Sequence, residues 1–474
     1  MDLNPALTAR LRELQSVYRQ LREMPSDKAQ QRGQRFNQLI ADVFRAFGLE
    51  AKANVRGLDG RDEIDVVFTA DGVVHVLEAK WEKKRIKGDP VEKLSGRLSD
   101  RPAGTRGVVL SMSGYTKPGR QVFERREIVG LEQQHFEATL AGLISPQELL
   151  ARIHLAQAAK GRRIVPLADV LVLDDEDAGP VPILRSTSET PAPWKVVKST
   201  ATGVAASEAY VGAWDDLPAL SLAAAPGRLL ITTPNGVVEF DPTTGSTRWA
   251  LALPGTTGRA FRSNDGALTV LCRGALVRWD STSNDLSVVA GGFGGYATLE
   301  TDSQGRLWVY NQVGSGETGS TTLACMGQHL GDEQRHEIPF PSGSHVVFLS
   351  PDRFFLSGTG HSTILDLAQD PITSKAHWLR SAVQDGRAAV SLGPHTVLTA
   401  GNRNGLDGYL VCQDLRTGDT IEELARFTAN RLNDIAITSS TALGAKMWIL
   451  ADVQGNDTLF RPLLLDVRVA WATA

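Results

Sequence analysis

The sequence predicts a multidomain protein, in which a mixed α/β sheet with flanking helices is followed by an all-β propeller. Three observations carry this. At 474 residues the chain exceeds what one hydrophobic core serves. Residues up to about 165 alternate helical and strand-like periodicity, the pattern of a sheet layered by helices. From about Leu220 helical periodicity stops and a loose repeat of 39 to 52 residues replaces it. The expected divisions are an N-terminal amphipathic helix in 1–29, an α/β domain in 30–165, a linker in 166–215 and the propeller in 216–474.

Elements of the first part follow in order. Leu7, Leu11, Leu14, Tyr18 and Leu21 recur at alternating spacings of four and three, giving a helix that stops near Met24-Pro25. Such a seam suits packing on its own domain, or pairing with a second copy into a homodimer. A second helix, Gly33 to Phe47, buries Phe36, Leu39, Ile40, Val43, Phe44 and Phe47, and Gly48 closes it. A hairpin comes next, then the charged loop WEKKRIKGDP. Beyond it lie a helix near Val91–Leu98, a strand from Gly107 to Met112, a helix over Lys117–Arg126 and a strand around Ile128–Leu131. Ser145–Ala159 reads as a final helix ended by Gly161. In 166–215 an acidic run, Asp174 to Asp177, precedes Pro, Ser and Thr residues and suggests the linker.

The repeat after Leu220 is a turn followed by a short apolar strand: GRLLI at 227, GALTV at 266, GRLWV at 305, DRFFL at 352, PHTVL at 394 and KMWIL at 446. VVEFDPTTGSTRW, LVRWDSTSNDLSV and LVCQDLRTGDTIE each read as strand, Asp-containing turn, strand. Units of this length predict a propeller of six blades, or seven if residues 181–215 supply one. This part resembles the WD40/PQQ-like propellers in architecture, although it has neither a Gly-His…Trp-Asp repeat nor a cofactor motif. Trp249, Trp279, Trp308, Trp378 and Trp448 are expected between blades, the glycines of GGFGG at 291–295 in turns and close approaches, and His361 has no nucleophile nearby in sequence.

Charge is unevenly divided. Residues 1–165 hold 28 Lys and Arg against 21 Asp and Glu, and the remainder 22 against 33. A basic first part joined to an acidic second part places polyanion binding in the first. The start MDLNPALTARLREL has no apolar h-region, no stretch nears eighteen consecutive apolar residues, and Cys272, Cys325 and Cys412 form no CxxC pair. A cytoplasmic protein without a membrane span is expected.

The hairpin RDEIDVVFTADGVVHVLEAKW, residues 61–81, carries the chemistry. Asp71-Gly72 is a preferred type I′ turn, so Ala70 pairs with Val73 and Asp65 falls opposite Glu78. By period two, Asp65, Glu78 and Lys80 share a face, while His75 points to the packed side. Carboxylates opposed at about 5 Å repel unless a divalent cation lies between them. Glu63 falls opposite Lys80 and is expected as its surface partner.

Asp65, twelve residues, then Glu78-Ala79-Lys80 resembles the D-x(n)-(D/E)-x-K signature of the PD-(D/E)xK nucleases. RGQRFNQLIADVFRAFGL before the hairpin, VLEAKW on it and TRGVVLSMSGYT after it resemble the Mrr-like restriction endonuclease branch, over about residues 30–160. The resemblance implies a restriction-endonuclease-like sheet, Asp65, Glu78 and the Ala79 carbonyl as Mg²⁺ ligands (Mn²⁺ substituting), and Lys80 as the group that orients water and stabilises the phosphate. Where that family often carries Glu after the helix Phe, this chain has Asn37, which suits positioning water and favours one-metal chemistry. Lys83, Lys84, Arg85 and Lys87 follow the lysine and are expected on backbone phosphates, with Arg97, Arg101 and Lys117 as further candidates.

The function expected is a Mg²⁺-dependent endonuclease acting on nucleic acid, DNA ahead of RNA. Its acidic propeller would bind a protein or small ligand or restrain the nuclease, in prokaryotic restriction or antiphage defence. Two alternatives stay open: a solvated polar face with a surface ion pair, and an interaction scaffold carrying a silent nuclease-like domain.

Overall fold

The computed structural model describes residues 5–56, 63–124, 128–161, 164–173, 184–187, 194–195, 202–212, 221–294, 296–302, 304–313, 320–327, 329–338, 343–367, 377–393, 396–403, 407–416, 420–427, 430–441, 444–454 and 460–471. The acidic run at 174–177 lies outside them. Two compact units divide the chain. The first comprises Met1–Val172 with Arg273–Phe293 and Gly327–Glu333, and the second comprises the rest.

In the first unit, α1 (Pro5–Glu23) buries Leu11, Leu14, Tyr18 and Leu21, none more than 3% exposed. Tyr18 donates its hydroxyl to Glu137 Oε1 at 2.8 Å, and Gln15 Nε2 donates to the Leu140 carbonyl at 3.1 Å. The apolar seam is therefore buried within the chain, the packing on its own domain that the spacing allows. Helix α2 (Ala29–Ala46) buries Phe36, Leu39, Ile40, Val43 and Phe44 as the periodicity requires, and Gly48 ends it at φ 84°.

Five strands follow in one mixed sheet, ordered as in sequence: β1 (Ala51–Arg56), β2 (Glu63–Ala70), β3 (Val73–Lys80), β4 (Arg106–Ser111) and β5 (Ile128–Glu132). The first three are antiparallel and β3, β4 and β5 run parallel. Asp71 at φ 49° and Gly72 at φ 74° form the predicted turn, and the ladder runs from Ala70↔Val73 to Val66↔Leu77. Phe44 packs edge-on against Phe68, which stacks on buried His75 at 4.9 Å. Val76 and Val109 pack instead with Val91 and Leu94 of α3 (Asp89–Ser99) and Phe123 of α4 (Lys117–Glu124). The Tyr115 hydroxyl, 2.7 Å from the Val109 carbonyl and 2.8 Å from that of Leu131, ties β4 to β5.

Helix α5 (Gln133–Leu140) starts straight from β5. His135 Nδ1 accepts the N–H of Glu132, and its other ring nitrogen lies 3.0 Å from the Val165 carbonyl. Then come α6 (Pro146–Lys160), closed by Gly161 at φ 67°, and α7 (Leu167–Leu171), which buries Leu167, Ala168, Val170 and Leu171. The close approach expected of the 291–295 glycines occurs at Gly291, where a Cβ would lie 2.5 Å from that of Ala141.

Beyond Ser221 the described chain is all strand, arranged as a propeller of five sheets. Three are four-stranded meanders, over 221–251, 256–290 and 296–338. The six expected units become five sheets because His377–Gly393 is one long strand. It pairs with Arg353–Asp366 through its first half and with Thr396–Arg403 through its second, so the units marked by DRFFL and PHTVL merge into a seven-stranded sheet. The segment expected as a linker contributes strands. Trp194–Lys195 joins that sheet, and Thr202–Gly212 and Leu184–Thr187 extend the last one. The small residues of Thr202–Gly212 give no apolar alternation, and its pairing comes from Phe460–Trp471.

Trp448 packs with Leu222, Leu229 and Phe240 of another sheet, and Trp308 with Val346 and Phe354, as expected of inter-blade residues. The side chains of Trp378 and His361 are outside the described ones. In the second unit Arg259 donates through Nε to Asp434 Oδ2 at 3.1 Å and through Nη1 to Glu300. Asp434 also accepts the N–H of Leu222 at 2.8 Å. One guanidinium thereby ties the first, second, third and last sheets.

Candidate active site

The site forms where the β2–β3 ladder ends. Asp65 on β2 and Glu78 on β3 each lie one residue beyond the last pair, Val66↔Leu77. Asp65 Oδ2 accepts the N–H of Ala79 at 2.8 Å, so the carboxylate replaces the backbone acceptor the ladder no longer supplies. That bond brings Asp65 against the Glu78-Ala79-Lys80 run.

Asn37 arrives from α2, where the packing of Phe36 and Ile40 fixes the helix against the sheet. Its Nδ2 donates to Asp65 Oδ1 at 3.0 Å and to Asn54 Oδ1 at 2.9 Å. The side chain expected to position water therefore reaches Asp65 directly. Asn54 belongs to β1 and sits at φ 51°, between the pairs Ala53↔Val66 and Val55↔Ile64. Asparagine tolerates that backbone region better than most residues, and the excursion turns its amide towards Asn37.

Glu78 is 8% exposed and held on both oxygens. Lys80 Nζ lies 2.6 Å from Oε1, and Arg97 Nη1 from α3 lies 2.8 Å from Oε2. Lys80 thus pairs with Glu78, two residues back on its own face. Glu63, its expected partner, is exposed and faces Arg56 across the strands. Burial, and then the negative charge of Glu78, raise the Asp65 carboxyl above its ordinary 3.8, against the lowering effect of the Ala79 N–H, Lys80 and Asn37.

A divalent cation is what the hairpin's resemblance to the PD-(D/E)xK nucleases implies here. Two neighbouring carboxylates, one of them raised by the other's charge, form a site whose repulsion a cation relieves. Among the described residues no three His, Cys, Asp or Glu side chains converge. The pair Asp65 and Glu78 alone is within what Mg²⁺ takes, one or two carboxylates with water and substrate phosphate completing its shell.

Lys83, Lys84, Arg85 and Lys87 are all exposed on the loop leaving β3. The loop is pinned at buried Ile86, whose N–H donates to the Gly114 carbonyl at 3.0 Å and whose carbonyl accepts from Thr116 N at 3.0 Å. Trp81, at its root, packs edge-on against Phe36 and lies under the Arg32 guanidinium. Arg97, read from sequence as a phosphate candidate, is instead a partner of Glu78. Asn54 was not singled out at all, though an Asn inside a strand is the signal that marks it.

Residues 29–140 match the model of a family described as a restriction endonuclease, Mrr_cat. No curated protein matches the chain. Among solved structures, a calcium-binding regucalcin from Agrobacterium tumefaciens is similar at 14% identity with a TM-score of 0.40, over 52% of this chain and 90% of its own. A gluconolactonase from Xanthomonas campestris is similar at 12% identity with a TM-score of 0.40, over 61% and 97%. No described helix is long and apolar enough to cross a membrane.

Proposed function

We propose that the segment matching the restriction endonuclease model makes this chain a divalent-metal-dependent endonuclease that hydrolyses phosphodiester bonds, with DNA as the favoured substrate. The observation that carries the reading is the convergence of Asp65, Glu78 and Lys80 at the open end of one hairpin, inside residues 29–140. Asp65 and Glu78, with the Ala79 carbonyl, would hold Mg²⁺ or Mn²⁺. When bound, the cation supplies Lewis acidity towards the phosphate and a template for in-line displacement.

The chain's own groups do the rest. Asn37 and the Ala79 N–H fix the Asp65 carboxylate from two sides. Lys80 presents its ammonium beside Glu78, where it orients the attacking water and stabilises negative charge on the phosphate. The exposed Lys83, Lys84, Arg85 and Lys87 contact backbone phosphates without reading sequence. RNA would be handled by the same phosphate chemistry, and its 2′-hydroxyl is the feature that separates the two substrates. The propeller, net acidic, is a poor partner for duplex DNA. It fits a sensor or partner-binding module that takes a protein or small ligand and restrains the nuclease, as restriction or antiphage defence in the cytoplasm demands.

One observation favours a second reading. All four oxygens of Asp65 and Glu78 accept from protein donors, so the network is satisfied as it stands and would suit a silent domain on a propeller scaffold. Plasmid DNA incubated with the full chain and Mg²⁺ or Mn²⁺ separates them. Cutting lost in Asp65→Ala and in Lys80→Ala supports the enzyme; cutting that survives both substitutions refutes this site.

A further inference from the structure

Glu78 is the most heavily engaged carboxylate of the site, and its two partners come from different places. Lys80 stands two residues along the same strand, and the Lys80 carbonyl accepts the N–H of Met112 at 2.9 Å, which anchors it to the sheet. Arg97 reaches in from the last turn of α3, where Leu94 packs into the core and the guanidinium is carried at the end of a long side chain. Asp65, Glu78, Lys80 and Arg97 together are charge-balanced. A divalent cation added to this set leaves two positive charges in excess, and both oxygens of Glu78 already carry a cation where a metal must coordinate.

Resting on the reading that Asp65 and Glu78 bind the cation, we propose that Arg97 is the counter-charge that holds Glu78 in the metal-free protein, and that it moves from that carboxylate to substrate phosphate when the cation binds. The two side chains are equally exposed, 27% each. Lys80 springs from the same strand as Glu78 and stays beside it, whereas Arg97 comes from α3 and can leave by side-chain rotation alone. Its planar guanidinium matches a phosphate diester as well as a carboxylate. Arg97 is thus a positioning residue that makes cation and nucleic acid bind cooperatively: the cation displaces it, the phosphate receives it, and each ligand raises the affinity for the other.

The test is Mn²⁺ titrated into the full chain without nucleic acid, with free ion read by electron paramagnetic resonance. The wild type is expected to bind an ion that Asp65→Asn abolishes. Arg97→Gln and Arg97→Met, which remove the charge with different shapes, should bind that ion about tenfold tighter, the effect of one competing charge in a partly solvated site. Arg97→Lys keeps the charge and should stay within about threefold of wild type. Adding a short DNA duplex at low temperature should tighten Mn²⁺ binding in the wild type and much less in Arg97→Gln. Wild-type affinity in both neutral variants overturns the role of Arg97, as does equal tightening in Arg97→Lys. If the wild type binds no ion that Asp65→Asn removes, the underlying reading of the site fails instead.

Discussion

Asp65 Oδ2 accepts the N–H of Ala79, the residue between Glu78 and Lys80, at 2.8 Å. One bond therefore sets the spacing of both carboxylates and aligns the ammonium beside them. It forms because the type I′ turn at Asp71-Gly72 fixes the register, and the ladder ends one pair before the acids. The chemistry at the hairpin's open end is thus a consequence of the turn at its closed end.

The loop after β3 makes a prediction about binding. Replacing Lys83, Lys84, Arg85 and Lys87 together by Ala should weaken duplex binding without unfolding the loop, since Ile86 anchors it. The slope of log affinity against log salt should shrink by up to about 3.6 if all four contact phosphate. Fluorescence anisotropy with a short duplex measures this, and an unchanged slope would place the phosphate contacts elsewhere.

His135 predicts a pH dependence of stability. Burial pushes its pKa down from 6.5 to about 4, despite the hydrogen bond it makes with the Val165 carbonyl. The folded state thus favours the neutral ring. Its contribution is complete above 6.5 and is lost as pH falls towards 4, because the unfolded chain takes up the proton first. In that window wild type should lose about 1.4 kcal/mol per pH unit relative to His135→Gln. Calorimetry of both proteins from pH 7 to 4 compares the slopes, and parallel slopes would contradict the assignment.

In the second unit Arg259 faces Asp434 and Glu300 with its side chain 12% exposed. Removing it leaves two acids without their shared cation. Arg259→Met should lower the stability of that unit by about 3 kcal/mol. Adding Asp434→Asn, which keeps an acceptor for the Leu222 N–H, should restore part of the loss. The unfolding midpoint of the propeller transition reports both, and additive losses would show that the pair does not act as a unit.

What the sequence discloses and what it conceals have separate physical causes. The hairpin was legible because period-two alternation and an Asp-Gly turn determine register without reference to the rest of the chain. Helices α1 and α2 were legible because each has one apolar stripe. Strand β1 was not, since it is mostly half-exposed and shows no alternation. Helix α5 was missed for the opposite reason: from His135 to Leu140 every residue is buried, His135, Glu137 and Thr139 included, so burial follows no apolar stripe. The Arg97–Glu78 contact joins a helix to a strand nineteen residues earlier, and no local period encodes it. The number of propeller sheets failed at one long strand, where two units share His377–Gly393.

The central claim is a divalent cation between Asp65 and Glu78, and a crystal soaked in Mn²⁺ tests it most directly. The account predicts an anomalous difference peak within coordination distance of both carboxylates, about 2.2 Å, with Arg97 withdrawn from Glu78. A crystal whose Mn²⁺ lies elsewhere, with Glu78 still clasped by Lys80 and Arg97, would contradict it.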